Sequence, residues 1–358
     1  MQISIVSDAW RPQVNGVVRT LMALKRQLRQ MGHHVYMITP EFFTTVPCPT
    51  YPEIKLAIHA APRMRTLMNR INADAVHIAT EGPLGWAARS WCLKNGMPFT
   101  TAYHTAFPEY LAARTPFRAD LFYPIYRRFH NAGSGVFVAT ATVRASLENR
   151  GFTNVIPWTR GVDTNEFNPN IGKSDWCFEG PIQLYVGRVA VEKNIEAFLE
   201  SDVDGTKVVV GEGPALETLK AAYPEVHFLG ALFGKDLARA YATADVFVFP
   251  SKTDTFGLVM IEALACGTPV AAYPVQGPLD VVGEDGCGPF EAWSKPIAVL
   301  NDDLGLAIRK ALDLRRGDCA AFAHNYNWET VAKQFVQSLS MHEPLNDIPV
   351  QGLYTLPS

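Results

Sequence analysis

The 358-residue sequence contains no apolar run approaching the roughly 18 residues that a membrane-spanning helix needs, so no helical span is expected. Its opening, MQISIVSDAW, lacks the charged first region of a secretory signal and reads as a strand instead. The six cysteines, Cys48, Cys92, Cys177, Cys266, Cys287 and Cys319, show neither CxxC pairs nor metal-ligand spacing. That points to reduced thiols in a cytosolic protein and to no metal site. The loop after the first strand is not a GxGxxG dinucleotide fingerprint, and no nucleic-acid-binding motif is present.

What is there is ample apolar content. At 358 residues and 48% hydrophobic, the chain favours two domains with a core each. The net charge of −3 hides an asymmetry. Residues 1–170 hold 18 Lys and Arg against 10 Asp and Glu, net +8; the remainder holds 14 against 25, net −11. A basic half joined to an acidic half suggests that one domain meets an anionic partner, either a membrane surface or a phosphorylated acceptor. Random surface variation is the alternative account.

The stretch Asp245 to Tyr273, DVFVFPSKTDTFGLVMIEALACGTPVAAY, most needs a function to explain it. It reads as strand (Val246 to Phe249), loop, helix (Phe256 to Cys266), turn (Gly267-Thr268-Pro269) and strand (Val270 to Tyr273). Every residue of that helix is apolar or Gly except Glu262. A carboxylate on a helix built for burial is costly unless donors meet it. The donor is either internal, a buried Arg or backbone amides, or a ligand.

Asp254, Thr255, Phe256-Gly257-Leu258 and Glu262, followed by Gly267-Thr268-Pro269-Val270, resemble the acidic-x7-Glu signature of glycosyltransferase family 4, retaining enzymes of GT-B fold. The resemblance implies that Glu262 accepts hydrogen bonds from the nucleotide ribose. It also implies that Asp254 and its neighbouring amides hold the donor sugar. The common form has Glu at the first position and this chain has Asp, a departure similar to the branch with lipid-modifying and mannosyl-transferring members.

The rest of the chain repeats an α/β rhythm. A strand (Gln2 to Ser7), a helix (about Val17 to Met31) and a strand (His34 to Thr39) make a βαβ opening. Gly16 at the mouth of that helix permits close backbone approach to an anion, and in the resembled family this loop lies against the donor diphosphate. Strands follow at about Ile54–Ile58, Ala75–Ala79 and Phe99–Ala102, with helices at about Pro62–Ile71 and Pro83–Asn95. The first of these helices sets Met64, Leu67, Met68 and Ile71 on one face and Arg63, Arg65 and Arg70 elsewhere. That suits packing on its own sheet better than lying on a membrane. His104, just past the Phe99 strand, stands where parallel sheets bind ligands, and the family's matching loop puts its His beside the donor sugar. Glu81 holds a similar position and is an acceptor candidate, with Tyr110 and Arg114. Residues 111–130 interleave Arg114, Arg118, Arg127 and Arg128 with aromatics, which fits a lipid interface or simple burial.

The second domain restarts the rhythm at Ile182–Val186. The segment Gly187-Arg188-x3-Glu192-Lys193-Asn194 is similar to the family's phosphate-binding segment, and two cations at a strand-to-helix turn suit a diphosphate leaving group. Gly211 in Gly211-Glu-Gly213-Pro214 and the Gly230-Ala231 strand end complete the donor set. The turn at Gly277-Pro278 precedes helices at about 303–313, 318–324 and 327–340.

The expected architecture is therefore α/β, GT-B, with two Rossmann-like domains facing across a cleft. The expected domains are 1–169 (acceptor-binding), a 170–180 linker, 181–326 (nucleotide-sugar-binding), and 327–358 crossing back to the first. The resemblance implies retaining, metal-independent transfer of a hexose, mannose or uronic acid from a UDP- or GDP-sugar, with no cofactor. His104, Asp254, Arg188 and Lys193 are the catalytic set. The acceptor is expected to be a membrane lipid such as diacylglycerol, reached by a cytoplasmic protein peripheral on the inner face of an anionic membrane. A soluble or polyprenyl-linked glycan is the alternative acceptor, and a GT-B sugar-nucleotide epimerase the alternative enzyme.

Overall fold

The computed structural model describes residues 1–13, 15–48, 51–114, 117–254 and 256–339, without the side chains of residues 51–54, 110, 111, 113 and 114. It divides the chain into two compact units, Met1–Thr159 joined by the helix that begins at Trp328, and Arg160–Asn327.

The first unit opens with β1 (Gln2–Val6), α1 (Gly16–Gln30) and β2 (His34–Ile38). An antiparallel hairpin follows, β3 (Thr45–Cys48) and β4 (Tyr51–Ala57), then α2 (Ala60–Ile71), β5 (Ala75–Ile78) and α3 (Pro83–Lys94). The unit continues with β6 (Phe99–Ala102), α4 (Phe107–Arg114), α5 (Tyr123–His130), β7 (Gly135–Val138), α6 (Ala141–Asn149) and β8 (Val155–Pro157). Six parallel strands run in the order β2-β1-β5-β6-β7-β8. Strand β1 is buried from Ile3 to Val6, as a strand covered on both faces must be. Met64 and Met68 of α2 are buried in the core beside Val6 and Ile78, so this helix packs on its own sheet.

The second unit carries β9 (Ile182–Val186), α7 (Ile195–Leu199), β10 (Thr206–Val210), α8 (Leu216–Ala222), β11 (His227–Phe228) and α9 (Gly234–Thr243). Then come β12 (Val246–Phe249), α10 (Leu258–Ala265), β13 (Val270–Ala272), α11 (Gln276–Val282) and β14 (Ala298–Leu300). Helices α12 (Leu304–Ala311) and α13 (Arg316–Ala323) close it. Its six parallel strands run β11-β10-β9-β12-β13-β14. The last described helix, α14 (Trp328–Leu339), belongs to the first unit. Trp328, Val331 and Phe335 join the core around Ile3 and Leu21, and the Trp158 indole donates to the Val331 carbonyl at 3.0 Å.

Several boundaries differ from the sequence reading. The units divide at Thr159/Arg160, ahead of the expected 170–180 linker. Val162 and Phe167 are buried within the second unit, where Val162 N–H donates to the Tyr326 carbonyl and the Phe167 ring meets Tyr241 edge-on. The expected turn at Gly277-Pro278 lies inside α11, because proline is tolerated in a first helical turn. The tail from residue 340 onward lies outside the described residues.

Candidate active site

In both sheets the first strand lies inside and the chain winds outward in both directions from it. Such a sheet has a topological switch point, and ligands bind outside the carboxyl ends of the strands there. In the second unit the switch lies between β9 and β12, so the loops 187–194 and 250–257 meet. Those are the loops that carry Arg188, Lys193 and Asp254.

Lys193 ends a short 3-10 turn, and its Nζ lies 2.6 Å from Asp254 Oδ1. Both side chains are about four-fifths buried, at 19% and 21% exposed. Asp254 Oδ2 is buried and has no hydrogen-bond partner among the described residues, which leaves a strong acceptor available. Asn194 adopts a left-handed backbone (φ 54°, ψ 37°), and its Nδ2 donates to the Pro250 carbonyl at 3.0 Å. Thr253 Oγ1 donates to the Glu192 carbonyl at 3.3 Å. Below them the Tyr185 hydroxyl donates to the Arg188 carbonyl at 2.9 Å. Burial, reinforced by the charges of Asp254 and Glu192, pushes this phenol well above its ordinary pKa, so the hydroxyl keeps its proton.

Helix α10 begins at Leu258, two residues later than its apolar pattern suggests, with Gly257 as N-cap. Among the described residues no side chain caps it, and its first turn holds no acid. Such an end offers amide donors to oxygen-rich ligands. Phe256 is buried edge-on against Tyr326, which leaves only its backbone for a ligand. Glu262, one turn along α10, is 6% exposed, and Tyr241 of α9 donates to its Oε2 at 3.2 Å. The carboxylate thus has an internal donor, and one from the residue type the sequence did not nominate. Thr255 lies outside the described residues.

Gly211 follows β10 with φ 146°, where a Cβ would collide with the Gly187 carbonyl oxygen; its amide donates to the Gly230 carbonyl at 2.7 Å. Only glycine allows the loops after β9 and β10 to close this tightly. Gly230 (φ 71°) and Ala231 continue the same rim beyond β11, and a Cβ at Gly230 would meet open space.

In the first unit the switch lies between β1 and β5. Gly16 is the first residue of α1, whose N-cap Asn15 accepts from Val18 N–H at 3.0 Å. Glu81 Oε1 pairs with His130 Nε2 at 3.0 Å, and His130 Nδ1 meets Thr101 Oγ1 at 2.8 Å, so one oxygen of this acceptor candidate is engaged internally. His104 lies past β6 with its ring edge-on to Trp158, centroids 6.2 Å apart. Tyr110 and Arg114 fall on α4, but their side chains lie outside the described residues.

The sequence reading passed over Asp8. Its carboxylate accepts from Thr80 Oγ1 (2.8 Å), Leu84 N–H (2.8 Å) and Gly85 N–H (3.3 Å), capping α3 from another loop. A Cβ at Gly82 would overlap the Asp8 carboxyl, so glycine is what lets this cap form. Burial raises the Asp8 pKa against the lowering effect of those donors. Because a carboxylate already fills the α3 N-terminus, that end is not open to phosphate. Among the described residues no three His, Cys, Asp or Glu side chains group as a metal would need.

Comparison with known proteins agrees with this fold. Residues 14–166 match Glycosyltransferase Family 4, and residues 180–298 match Glycosyl transferases group 1. A GDP-mannose-dependent alpha-mannosyltransferase of Mycobacterium tuberculosis is 30% identical over 79% of this chain and 81% of its own length. An alpha-monoglucosyldiacylglycerol synthase of Streptococcus pneumoniae is 28% identical over 76% of this chain and 71% of its own. Among solved structures, a sucrose-phosphate synthase from Thermosynechococcus elongatus shares the fold, with TM-score 0.71 and 22% identity over 94% of this chain and 97% of that one. With its two Rossmann-like halves, its paired cation and carboxylate at the second switch point and these relatives, the chain belongs to glycosyltransferase family 4 and is a hexosyltransferase of GT-B fold.

Proposed function

We propose that the enzyme transfers a hexose, with retention and without a metal ion, from a nucleotide-diphosphate sugar to a membrane lipid such as diacylglycerol. The observation that carries the donor half is the Lys193–Asp254 pair at the β9/β12 switch point. A diphosphate entering there takes Lys193 and Arg188 as its cations, while the freed Asp254 accepts from sugar hydroxyls and Glu262 from the ribose. Two cations and the α10 amides, which no side chain caps among the described residues, supply the charge stabilisation that a divalent ion supplies elsewhere.

In the reaction the bond from the anomeric carbon to the phosphate oxygen breaks, its electron pair leaving with the nucleotide. The acceptor hydroxyl oxygen bonds to that carbon on the same face and passes its proton to the departing phosphate. His104 stands beside the sugar in this reading.

The lipid half rests on relatives whose names include a diacylglycerol-glycosylating synthase and on the surface of the first unit. Phe107, Phe117, Leu121 and Ile125 are exposed along α4, α5 and the turn between them, with Leu121 66% and Ile125 61% exposed. Arg118 between them is 87% exposed. Arg118 pairs with Asp120 at 3.4 Å in this surface, and apolar side chains flanked by an exposed cation suit an anionic bilayer. No helix among the described residues is long and apolar enough to cross a membrane, and a peripheral site on the inner membrane face fits this surface.

Mass-spectrometric product detection tests the reading with UDP-glucose, UDP-galactose, UDP-glucuronic acid and GDP-mannose. Each is incubated with diacylglycerol in anionic liposomes and chelator. One glycosylated lipid identifies donor, acceptor and metal independence together; nucleotide release without lipid product retains the donor site and moves the acceptor to a soluble or polyprenyl-linked glycan.

A further inference from the structure

Three consecutive residues of the β9 loop reach across to the β12 loop. The Glu192 carbonyl accepts from Thr253, Lys193 pairs with Asp254, and the Asn194 amide donates to the Pro250 carbonyl. The Asn194 amide thus ties together the loops that follow two adjacent strands, β9 and β12. Its left-handed backbone turns the chain from the 3-10 turn into α7, and it lies immediately after the cation that the donor reading assigns to the diphosphate.

We propose that Asn194 is a positioning residue for the donor: its amide clamps the β9 loop to the β12 loop, which sets Lys193 at the spacing from Asp254 that a sugar diphosphate bridges. The proposal rests on the donor reading above. Lys193 has a long flexible stem, and an ammonium held in place loses less freedom when phosphate arrives. The clamp holds the backbone at the root of that stem while leaving its charge free to change partner.

Two roles for Asn194 predict opposite signs for one substitution. If the left-handed backbone alone matters, Asn194→Gly is neutral or better, because glycine adopts that conformation without strain. If the amide matters, glycine keeps the turn and loses the clamp. Calorimetric titration with UDP and with GDP, together with melting curves, separates these. Asn194→Gly is expected to melt within a few degrees of wild type and to bind the preferred nucleotide about fivefold to tenfold more weakly, the loss expected for one hydrogen bond. Asn194→Asp, which presents an acceptor to the Pro250 carbonyl, is expected to lose at least as much. In a Lys193→Ala background, adding Asn194→Gly is expected to change affinity less than about twofold, since the positioned group is gone.

Wild-type affinity in Asn194→Gly, or full additivity with Lys193→Ala, overturns the clamp while Lys193→Ala alone still weakens binding. Binding by Lys193→Ala equal to wild type, or by wild type to neither nucleotide, overturns the donor reading and the clamp with it.

Discussion

Tyr241 and Glu262, on the neighbouring helices α9 and α10, share a hydrogen bond of 3.2 Å in which the phenol donates to the carboxylate Oε2. Both residues are buried, so the bond does more than a surface contact: it offsets the desolvation of an ionised group and fixes which way its oxygens point. Tyr241→Phe keeps the ring and deletes the donor. Stability is expected to fall by about 1–3 kcal/mol, with a rise in the KM for donor as the proposed ribose contact loses its orientation. Urea unfolding and initial rates check both; an unchanged midpoint with unchanged KM would sink the coupling.

Glu262→Ala and Lys193→Ala are each expected to lower transfer by about 100-fold or more, the usual cost of removing a fixed charge or donor from a transition state. Neither removes much apolar packing, so circular dichroism spectra are expected to match wild type. Wild-type turnover in either variant refutes its placement in the donor site.

The thiols divide by surroundings. Burial pushes Cys92, Cys266 and Cys319 up to about 12, whereas Cys177 is exposed. Only the thiolate alkylates, so at pH 8 the buried three hold an ionised fraction on the order of 10⁻⁴ and are screened from reagent as well. Iodoacetamide with peptide mapping is expected to label Cys177 quickly and these three only on unfolding. The shift also makes the folded state keep protons that the unfolded chain releases above pH 9, so stability declines as pH rises through that range toward 12.

Leu121→Asp with Ile125→Asp tests the bilayer surface. Both side chains already face solvent, so the melting temperature is expected to hold. Co-flotation with anionic vesicles is expected to drop by at least about tenfold, given the apolar area withdrawn and the repulsion added. Equal flotation of the double variant would place the membrane contact elsewhere.

Much of this was legible because parallel strands and amphipathic helices carry strong periods. Met64 and Met68 lie inward on α2 as their spacing indicates, and Glu262 stood out as the one charge in an apolar helix. The donors were not legible. Tyr241 lies on another helix, and the Pro250 carbonyl that receives Asn194 is backbone, which leaves no mark in composition or spacing. Asp8 was hidden for the same reason, since its partners lie 72 to 77 residues away. The strand β8, three residues ending in proline, is too short to show a period. Pro278 read as a turn because proline marks turns and first helical turns alike.

The membership of α14 in the first unit gives the molecule a direction in time. As the chain is synthesised, His77, Phe137 and Trp158 are in place early, but the Phe335 ring that closes on all three arrives only after the entire second unit. Until then the nascent first unit presents an aromatic seam with nothing to seat in it. The second unit, continuous from Arg160 to Asn327, has no such wait. Ribosome stalling before Trp328 would thus release a polypeptide with one finished half and one sticky half, the kind of product that chaperones and proteases recognise.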